Sequence, residues 1–145
     1  MAVSAYWYGK AFLSAFNKEV DLDTDTVKVA LCTSSYTPNQ DTHDYYNDLS
    51  NEVANGNGYT TGGATLASKT VSYDAASNTF TFDAADTAWS SASFTARYAV
   101  VYVDTGTSST SPLLAYVDFG ADQTVSSGTF TIVWNASGIA KVTVS

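Results

Sequence analysis

Short apolar stretches separated by turn-forming residues run through the last third of the chain. They are rich in Val, Ile, Tyr and Phe, which favour strands, and they lie at 97–104, 113–119, 129–134 and 139–144. Residues 98–103 are apolar on both faces, so we expect a central strand there. Segments 104–112 and 120–128 are predicted as connections, and 135–138 as a tight hairpin turn.

One helix is predicted, between residues 5 and 18. Tyr8, Phe12, Leu13 and Phe16 share one face at helical spacing. The segment is short, so we expect this apolar stripe to be stabilised by packing against a sheet or a neighbouring subunit.

Further strands are predicted ahead of the last third of the chain. They show alternating apolar and polar positions and lie at 26–32, 66–73, 79–83 and 89–95. Residues 74–78 indicate a hairpin connection, and 33–63 a long polar loop with a short helix near 44–49. About eight short strands with a leading helix favour an all-β fold, a single antiparallel β-sandwich or barrel domain over 1–145.

Composition narrows the range of partners. Six Lys and Arg against fourteen Asp and Glu give a formal charge of −8, which disfavours nucleic acid and anionic membranes as partners. No stretch resembles a membrane helix, and the first residues lack the pattern of a secretory leader. The single cysteine, Cys32, lies in an apolar run, which indicates a small buried side chain. One cysteine cannot form an internal disulfide, so we expect a chain made in a reducing cytoplasm.

The surface is expected to be weakly charged. Charged residues make up 14% of the chain, against about 25% in ordinary soluble domains. Ser, Thr, Asn and Gly replace them, which suits strands whose outer faces meet other protein. A β protein with neutral outer faces is the alternative interpretation.

Asp21, Asp23 and Asp25 imitate the start of a calcium-binding loop. The sixth position of such a loop requires Gly and here is Thr26, and the twelfth requires Glu and here is Cys32. A turn before a strand is therefore the preferred interpretation, with calcium as the alternative.

No catalytic motif is recognisable. The chain contains one histidine, His43, and no Gly-x-Ser-x-Gly motif that would supply a nucleophile beside it. A zinc site would need a second nitrogen or sulfur ligand, which is absent near His43 in the sequence. A solvated loop histidine is therefore expected. Asp83, Asp86, Asp104 and Asp118 could in principle pair for glycoside cleavage, but each closes or ends a strand. We therefore expect a protein that is not an enzyme and uses no cofactor or metal.

Aromatic residues supply the candidate binding site. Trp134, Tyr98, Tyr102 and Tyr116 lie in apolar strands and are expected in the core. Candidate partner contacts lie outside the strand cores; they are Tyr6, Trp7, Tyr8, Phe12, Tyr36, His43, Tyr45 and Tyr46. Core packing and the stacking of a sugar ligand are the alternatives for these side chains.

Several segments together resemble a group of small virion structural proteins of tailed bacteriophages. The resemblance spans nearly the whole chain and is carried by 25–38, 51–53, 58–66, 94–102, 111–120 and 127–134. None of these segments is a catalytic motif, so the resemblance transfers no site residues.

The resemblance implies a virion component made in the host bacterial cytoplasm. A small domain with a broad neutral surface suits repeated contacts on a symmetric shell. We expect a capsid decoration or cement protein that binds the major capsid protein and itself, as a homo-oligomer such as a trimer. The helix at 5–18 and the loop at 33–63 are the expected contact regions. A tail or fibre component that binds host glycans, and a small hydrolase, are the other function classes.

Overall fold

The computed structural model describes residues 2–145, and its regular structure is mostly strand. The elements are β1 (Ser4–Trp7), α1 (Lys10–Phe16), β2 (Val27–Cys32), β3 (Ala64–Thr65), β4 (Thr70–Asp74), β5 (Thr79–Asp83), β6 (Thr87–Val103), β7 (Leu113–Ile132) and β8 (Ala140–Thr143), with 3₁₀ turns at Tyr46–Asp48 and Ser108–Thr110. One sheet has the order β1-β7-β6-β2-β3, and the other has the order β4-β5-β8. Every pairing is antiparallel, which confirms the predicted all-β class as a two-sheet sandwich.

The five-stranded sheet is buried on both faces. In β2, Val27, Val29 and Leu31 belong to one apolar cluster, while Ala30 and Cys32 belong to another. Successive strand residues point to opposite faces, so the two clusters lie on opposite sides of the sheet. The inner cluster packs against the three-stranded sheet. The outer cluster comprises Tyr8, Ala30, Cys32, Tyr36, Val100, Tyr102 and Leu113.

The predicted central strand at 98–103 is confirmed, since β6 occupies the middle of the sheet. Cys32 is fully buried, as predicted, and burial raises the pKa of its thiol to about 12. The 33–63 segment is irregular apart from one 3₁₀ turn, as predicted.

The helix prediction for 5–18 is wrong at its start. Residues Ser4–Trp7 form β1, which pairs with β7 and stacks the Tyr6 ring on Tyr116 at 5.3 Å. Consecutive aromatic residues favour a pleated strand with cross-strand partners, and this overrides the weak helical pattern. The helix begins only at Lys10, and it buries Ala11 and Ser14 rather than the predicted apolar stripe.

The predicted connection at 120–128 is also wrong, because β7 runs without interruption from Leu113 to Ile132. The turn-forming residues fit into the strand as a bulge, in which Arg97 alone lies opposite 119–122. Beyond the bulge, pairing with β6 resumes at Ala96 and Gln123. A long partner strand therefore keeps this polar segment within the sheet, although Gly120 and Ser127 adopt positive φ.

Two other boundaries differ from the predictions. The turn at 135–138 exists, but it carries the chain from β7 in one sheet to β8 in the other, so it is not a hairpin. The strand predicted at 66–73 begins only at Thr70, because Ala64–Thr65 pairs with β2 before the chain changes sheets. At both places the local sequence fits a hairpin within one sheet, and it does not show that the chain passes to the other sheet.

Gly63 permits a close approach between the long loop and the sheet. Its φ is +78°, and a Cβ atom there would lie 1.9 Å from the carbonyl oxygen of Val29. We expect Gly63→Ala to lower the free energy of unfolding by about 3 kcal/mol or more, since backbone strain adds to overpacking. Urea denaturation followed by fluorescence measures the change.

Gly106→Ala is the matched control, because Gly106 has a φ of +85° with nothing within 4 Å of the added atom. It should lose only about 1 kcal/mol, the cost of the left-handed conformation. Equal losses for the two variants would contradict the close approach at Gly63.

Candidate interaction surfaces

The 33–63 loop covers the outer face of the five-stranded sheet. Tyr36 is a buried member of the outer cluster, and Tyr46 and Leu49 pack against that cluster. The Tyr46 ring stacks on Tyr102 of β6 with 4.6 Å between ring centroids. A segment that reads as polar is therefore anchored by its aromatic and aliphatic side chains.

Glu52 ties this loop together. Its carboxylate accepts hydrogen bonds from the Tyr46 hydroxyl at 2.5 Å, the Tyr59 hydroxyl at 2.6 Å and the Gly62 amide at 2.7 Å. The Tyr59 hydroxyl also accepts a bond from the Leu31 amide at 2.9 Å. One carboxylate thus connects three points of the loop and, through Tyr59, strand β2.

The tyrosines that bond Glu52 remain protonated donors. Burial, and then the negative charge of Glu52 together with its hydrogen bond, raises the pKa of Tyr59 and of Tyr46 far above the ordinary value. Hydrogen bonds to an ionised group are stronger than neutral ones, so this cluster stabilises the loop. Glu52 is not recognisable as this centre from the sequence, because an isolated acidic residue in a polar loop gives no sign of its partners.

A second hydrogen-bonded group joins the N-terminal segment to the loop. The Tyr36 hydroxyl lies 2.8 Å from the Tyr8 hydroxyl and 2.9 Å from Nδ1 of His43. The His43 ring also stacks on Tyr36 at 5.7 Å. His43 is half-buried and bonded, so the prediction of a solvated loop histidine is wrong. Burial is the main cause that raises the pKa of Tyr8 and Tyr36, and these hydroxyls stay neutral.

The predicted contact residues differ in exposure: Tyr6 and Phe12 are exposed, whereas Trp7 and Tyr45 are half-buried. Tyr8 and Tyr36 are buried, so neither side chain is available to a partner in this structure. Tyr46 and His43 are half-buried, and the Tyr46 hydroxyl and Nδ1 of His43 already have partners in the chain. Tyr45 donates its hydroxyl to Glu19 at 2.9 Å. The partner-binding role of this face stays a prediction.

Phe16 on α1 has the highest exposed fraction among the large apolar side chains of 2–145. We define the helix patch as Phe12, Leu13 and Phe16, of which Leu13 is 61% and Phe16 87% exposed. Trp7 adjoins the patch, with its ring 5.1 Å from that of Phe12. Only Phe12 of the three was a predicted contact residue. The apolar stripe was visible in the sequence, but it gave no sign that Ala11 and Ser14 would form the buried face instead.

The strand-end aspartates are held by local partners. Asp83 accepts from the Ala84 amide, and Asp86 accepts from the Trp134 amide at 2.9 Å. Asp104 pairs with Lys28 at 2.8 Å. These bonds are those of carboxylates that close strands and turns.

Asp21, Asp23 and Asp25 form a turn, as preferred from the sequence. The Asp21 carboxylate accepts from the Asp23 and Thr24 amides, and Asp25 accepts from the Asp21 amide at 2.7 Å. Across 2–145, no group of three or more His, Cys, Asp or Glu side chains is placed to hold a metal ion. No helix within this range is long and apolar enough to cross a membrane.

Asp118 holds the bulge of β7. It accepts two hydrogen bonds from the Arg97 guanidinium, at 2.7 and 3.3 Å, and one from the Gly120 amide at 2.7 Å. The guanidinium also lies 5.5 Å from the Tyr98 ring centroid. The bonds from Arg97 lower the pKa of the Asp118 carboxyl.

The cluster around Glu52 predicts a loss of stability in Glu52→Gln. The new amide turns one acceptor oxygen into a donor that faces other donors, so we expect the free energy of unfolding to fall by about 2 kcal/mol. Hydrogen exchange should increase across 33–63. Glu19→Gln, which changes an exposed bond to Tyr45, is the control and should cost less than about 0.5 kcal/mol. Equal effects would refute the role of Glu52.

The Asp118 pair predicts a stability that depends on acid pH. A carboxyl whose pKa is lower in the folded state stabilises the fold above its unfolded pKa of about 4, and this contribution is lost as pH falls through the folded value. We expect Asp118→Asn to reduce the acid dependence of the free energy of unfolding below about pH 4. Asp41→Asn, at an exposed position without an ion pair, should retain the acid dependence of the unaltered protein. An unchanged slope in Asp118→Asn would contradict the pairing.

Comparison with known proteins adds no assignment to these surfaces. No protein-family model matches this chain, and no curated protein or solved structure is significantly similar to it.

Proposed function

We propose that this protein is a non-enzymatic structural component of a tailed-bacteriophage virion, and that it decorates or cements the outer face of the head shell. In this role it binds the major capsid protein and further copies of itself. The resemblance of its segments to small virion structural proteins supports the assignment to a virion. The surface of the molecule supports binding to other proteins as its mode of action.

The helix patch is the observation that carries the proposal. Phe12, Leu13 and Phe16 expose apolar surface from a single helix of seven residues. Contiguous exposed apolar side chains are typical of surfaces that bind other proteins. Because α1 lies directly after β1 of the five-stranded sheet, the patch is presented by a rigid support.

Charge and rigidity are in accord with this role. The charge of −8 disfavours nucleic acid as the partner, and the low content of charged residues lowers the cost of desolvating a broad contact. The bonds of Glu52 and Tyr36 fix the 33–63 loop before any partner arrives. A preformed surface loses less conformational entropy on binding, which favours repeated attachment to identical sites on a shell.

Replacing the helix patch tests the proposal. We expect the double variant Leu13→Ser/Phe16→Ser to bind at least about tenfold more weakly to capsids that lack the protein, since it removes two large apolar contacts. Co-sedimentation measures occupancy, and electron microscopy of the particle locates the bound chain. Capsids that carry the unaltered protein should withstand heat and low salt better than bare capsids.

Val71→Ser/Tyr73→Ser is the matched control, because it removes exposed apolar side chains from β4 in the other sheet. It should bind capsids as the unaltered protein does. Density at the tail instead of the head, or binding to host glycans without binding to capsids, would contradict head decoration and support the tail or fibre alternative.

A further inference from the structure

The 33–63 loop contains two Asn-Gly pairs, at 55–56 and 57–58. Residues 56–59 form a tight turn, in which the Gly56 amide donates to the Tyr59 carbonyl at 2.7 Å and the Tyr59 amide donates to the Gly56 carbonyl at 3.0 Å. The central residues have φ values of +52° at Asn57 and +86° at Gly58, which identifies a type I′ turn. The two Asn-Gly pairs are therefore adjacent in the chain but differ in local structure.

The two pairs also differ in hydrogen bonding. A backbone amide can attack the side-chain carbonyl carbon of a preceding asparagine, and glycine hinders this attack least because it has no Cβ atom. In the first pair, the Gly56 amide is already bonded, and Oδ1 of Asn55 accepts from the Thr61 amide at 3.1 Å. In the second pair, neither the Gly58 amide nor the Asn57 side chain has a hydrogen-bond partner within 2–145, and both residues are exposed.

Attack within the second pair requires rotation of the peptide group between Asn57 and Gly58. Type I′ and type II′ turns differ by such a rotation and share the same closing hydrogen bonds. The closing bonds can therefore persist, and the bond that is lost runs from the Ser93 amide of β6 to the Asn57 carbonyl at 2.9 Å. Attack within the first pair requires two bonds to break, those of the Gly56 amide and of the Asn55 side chain.

We propose that Asn57 is the site of a spontaneous deamidation in the folded protein, and that isoaspartate formed there loosens the contact between the 33–63 loop and β6. The Gly58 nitrogen bonds to Cγ of Asn57, and the bond from Cγ to Nδ2 breaks. The proton of the Gly58 amide passes through water to the nitrogen that leaves as ammonia. Water then opens the cyclic imide at either carbonyl carbon and gives aspartate or isoaspartate, which adds one negative charge. This site is separate from the helix patch and does not depend on the proposed role in the virion.

The turn has no room for a longer backbone. Isoaspartate carries the chain through its side chain, so it adds a backbone carbon to a turn of two residues. Gly58 packs against β6 so closely that a Cβ atom there would lie 2.7 Å from Cα of Ala92. Tyr59 follows directly, is buried and donates its hydroxyl to Glu52 at 2.6 Å. We therefore expect the modification to break the bond from Ser93 and to weaken the bonds that hold the loop.

Ageing of the full-length protein at mildly alkaline pH tests the proposal, with peptide mass spectrometry to measure isoaspartate at each asparagine. We expect the folded protein to react about fivefold faster at Asn57 than at Asn55, because one more hydrogen bond must break at Asn55. In concentrated urea the turn is lost, and the two pairs should react at similar rates. Hydrogen exchange in the folded protein should be fast at the Gly58 amide and slow at the Gly56 amide.

Two variants assign the product. Asn57→Gly keeps a residue that adopts positive φ and removes the side-chain amide, so isoaspartate should form only at the slow rate of Asn55. Asn55→Gln is the matched control and should leave the rate at Asn57 unchanged. Ageing should increase hydrogen exchange across 51–63 in the unaltered protein and leave it unchanged in Asn57→Gly.

Equal rates at the two pairs in the folded protein, or a faster rate at Asn55, would overturn the proposed site. The absence of product at Asn57 in the folded protein, once the urea-treated protein is fully modified, would do the same. An aged sample that is modified at Asn57 but exchanges across 51–63 as fresh protein does would overturn the predicted loosening. The comparison between the two pairs is made in the unaltered protein, so it does not depend on whether a variant folds.

Discussion

The pairing of β6 with β7 holds together the parts of the molecule that carry its surfaces. The two strands pair from Thr87 and Ile132 at one end to Tyr102 and Leu113 at the other, with shifts of register at bulges between. β2 and β1 attach to the two outer sides of this pair, so every strand of the larger sheet is placed by it. Both faces of this sheet are apolar over part of its length. Each face must therefore be shielded from water by a different part of the chain.

The outer face of the five-stranded sheet is shielded by the 33–63 loop, and this explains the hydrogen bonds within that loop. The inner face is covered by another sheet, which satisfies its own backbone groups, but the outer face is covered by irregular chain. Tyrosines suit this task because their rings cover apolar surface while their hydroxyls require partners. Glu52 bonds the hydroxyl of Tyr46 and His43 bonds that of Tyr36, so the burial of rings and the bonding of hydroxyls stabilise the same segment. A long loop without such anchors would lose more entropy on ordering than its contacts recover.

Strands whose burial follows a regular pattern along the chain were predicted correctly from the sequence. Alternation identified β2 and β5, and a run apolar on both faces identified the centre of the sheet, because burial on a strand repeats every two residues. The errors fall where a distant partner decides the outcome. Ser4–Trp7 is a strand because β7 lies beside it, and 120–128 stays within the sheet because β6 does. The aromatic residues of the candidate site were recognised by type. Their burial could not be predicted, because Tyr8 and Tyr36 contact each other although they are 28 residues apart in the chain.

Trp7 connects the helix patch with both sheets. It lies on β1, which pairs with β7, its ring lies against Phe12 of the patch, and its indole nitrogen donates to the Lys141 carbonyl on β8. A helix of seven residues such as α1 is not stable in water by itself, so the patch depends on contacts of this kind for its position. The shape of the exposed apolar surface is therefore set by the sandwich beneath it and not by the helix alone.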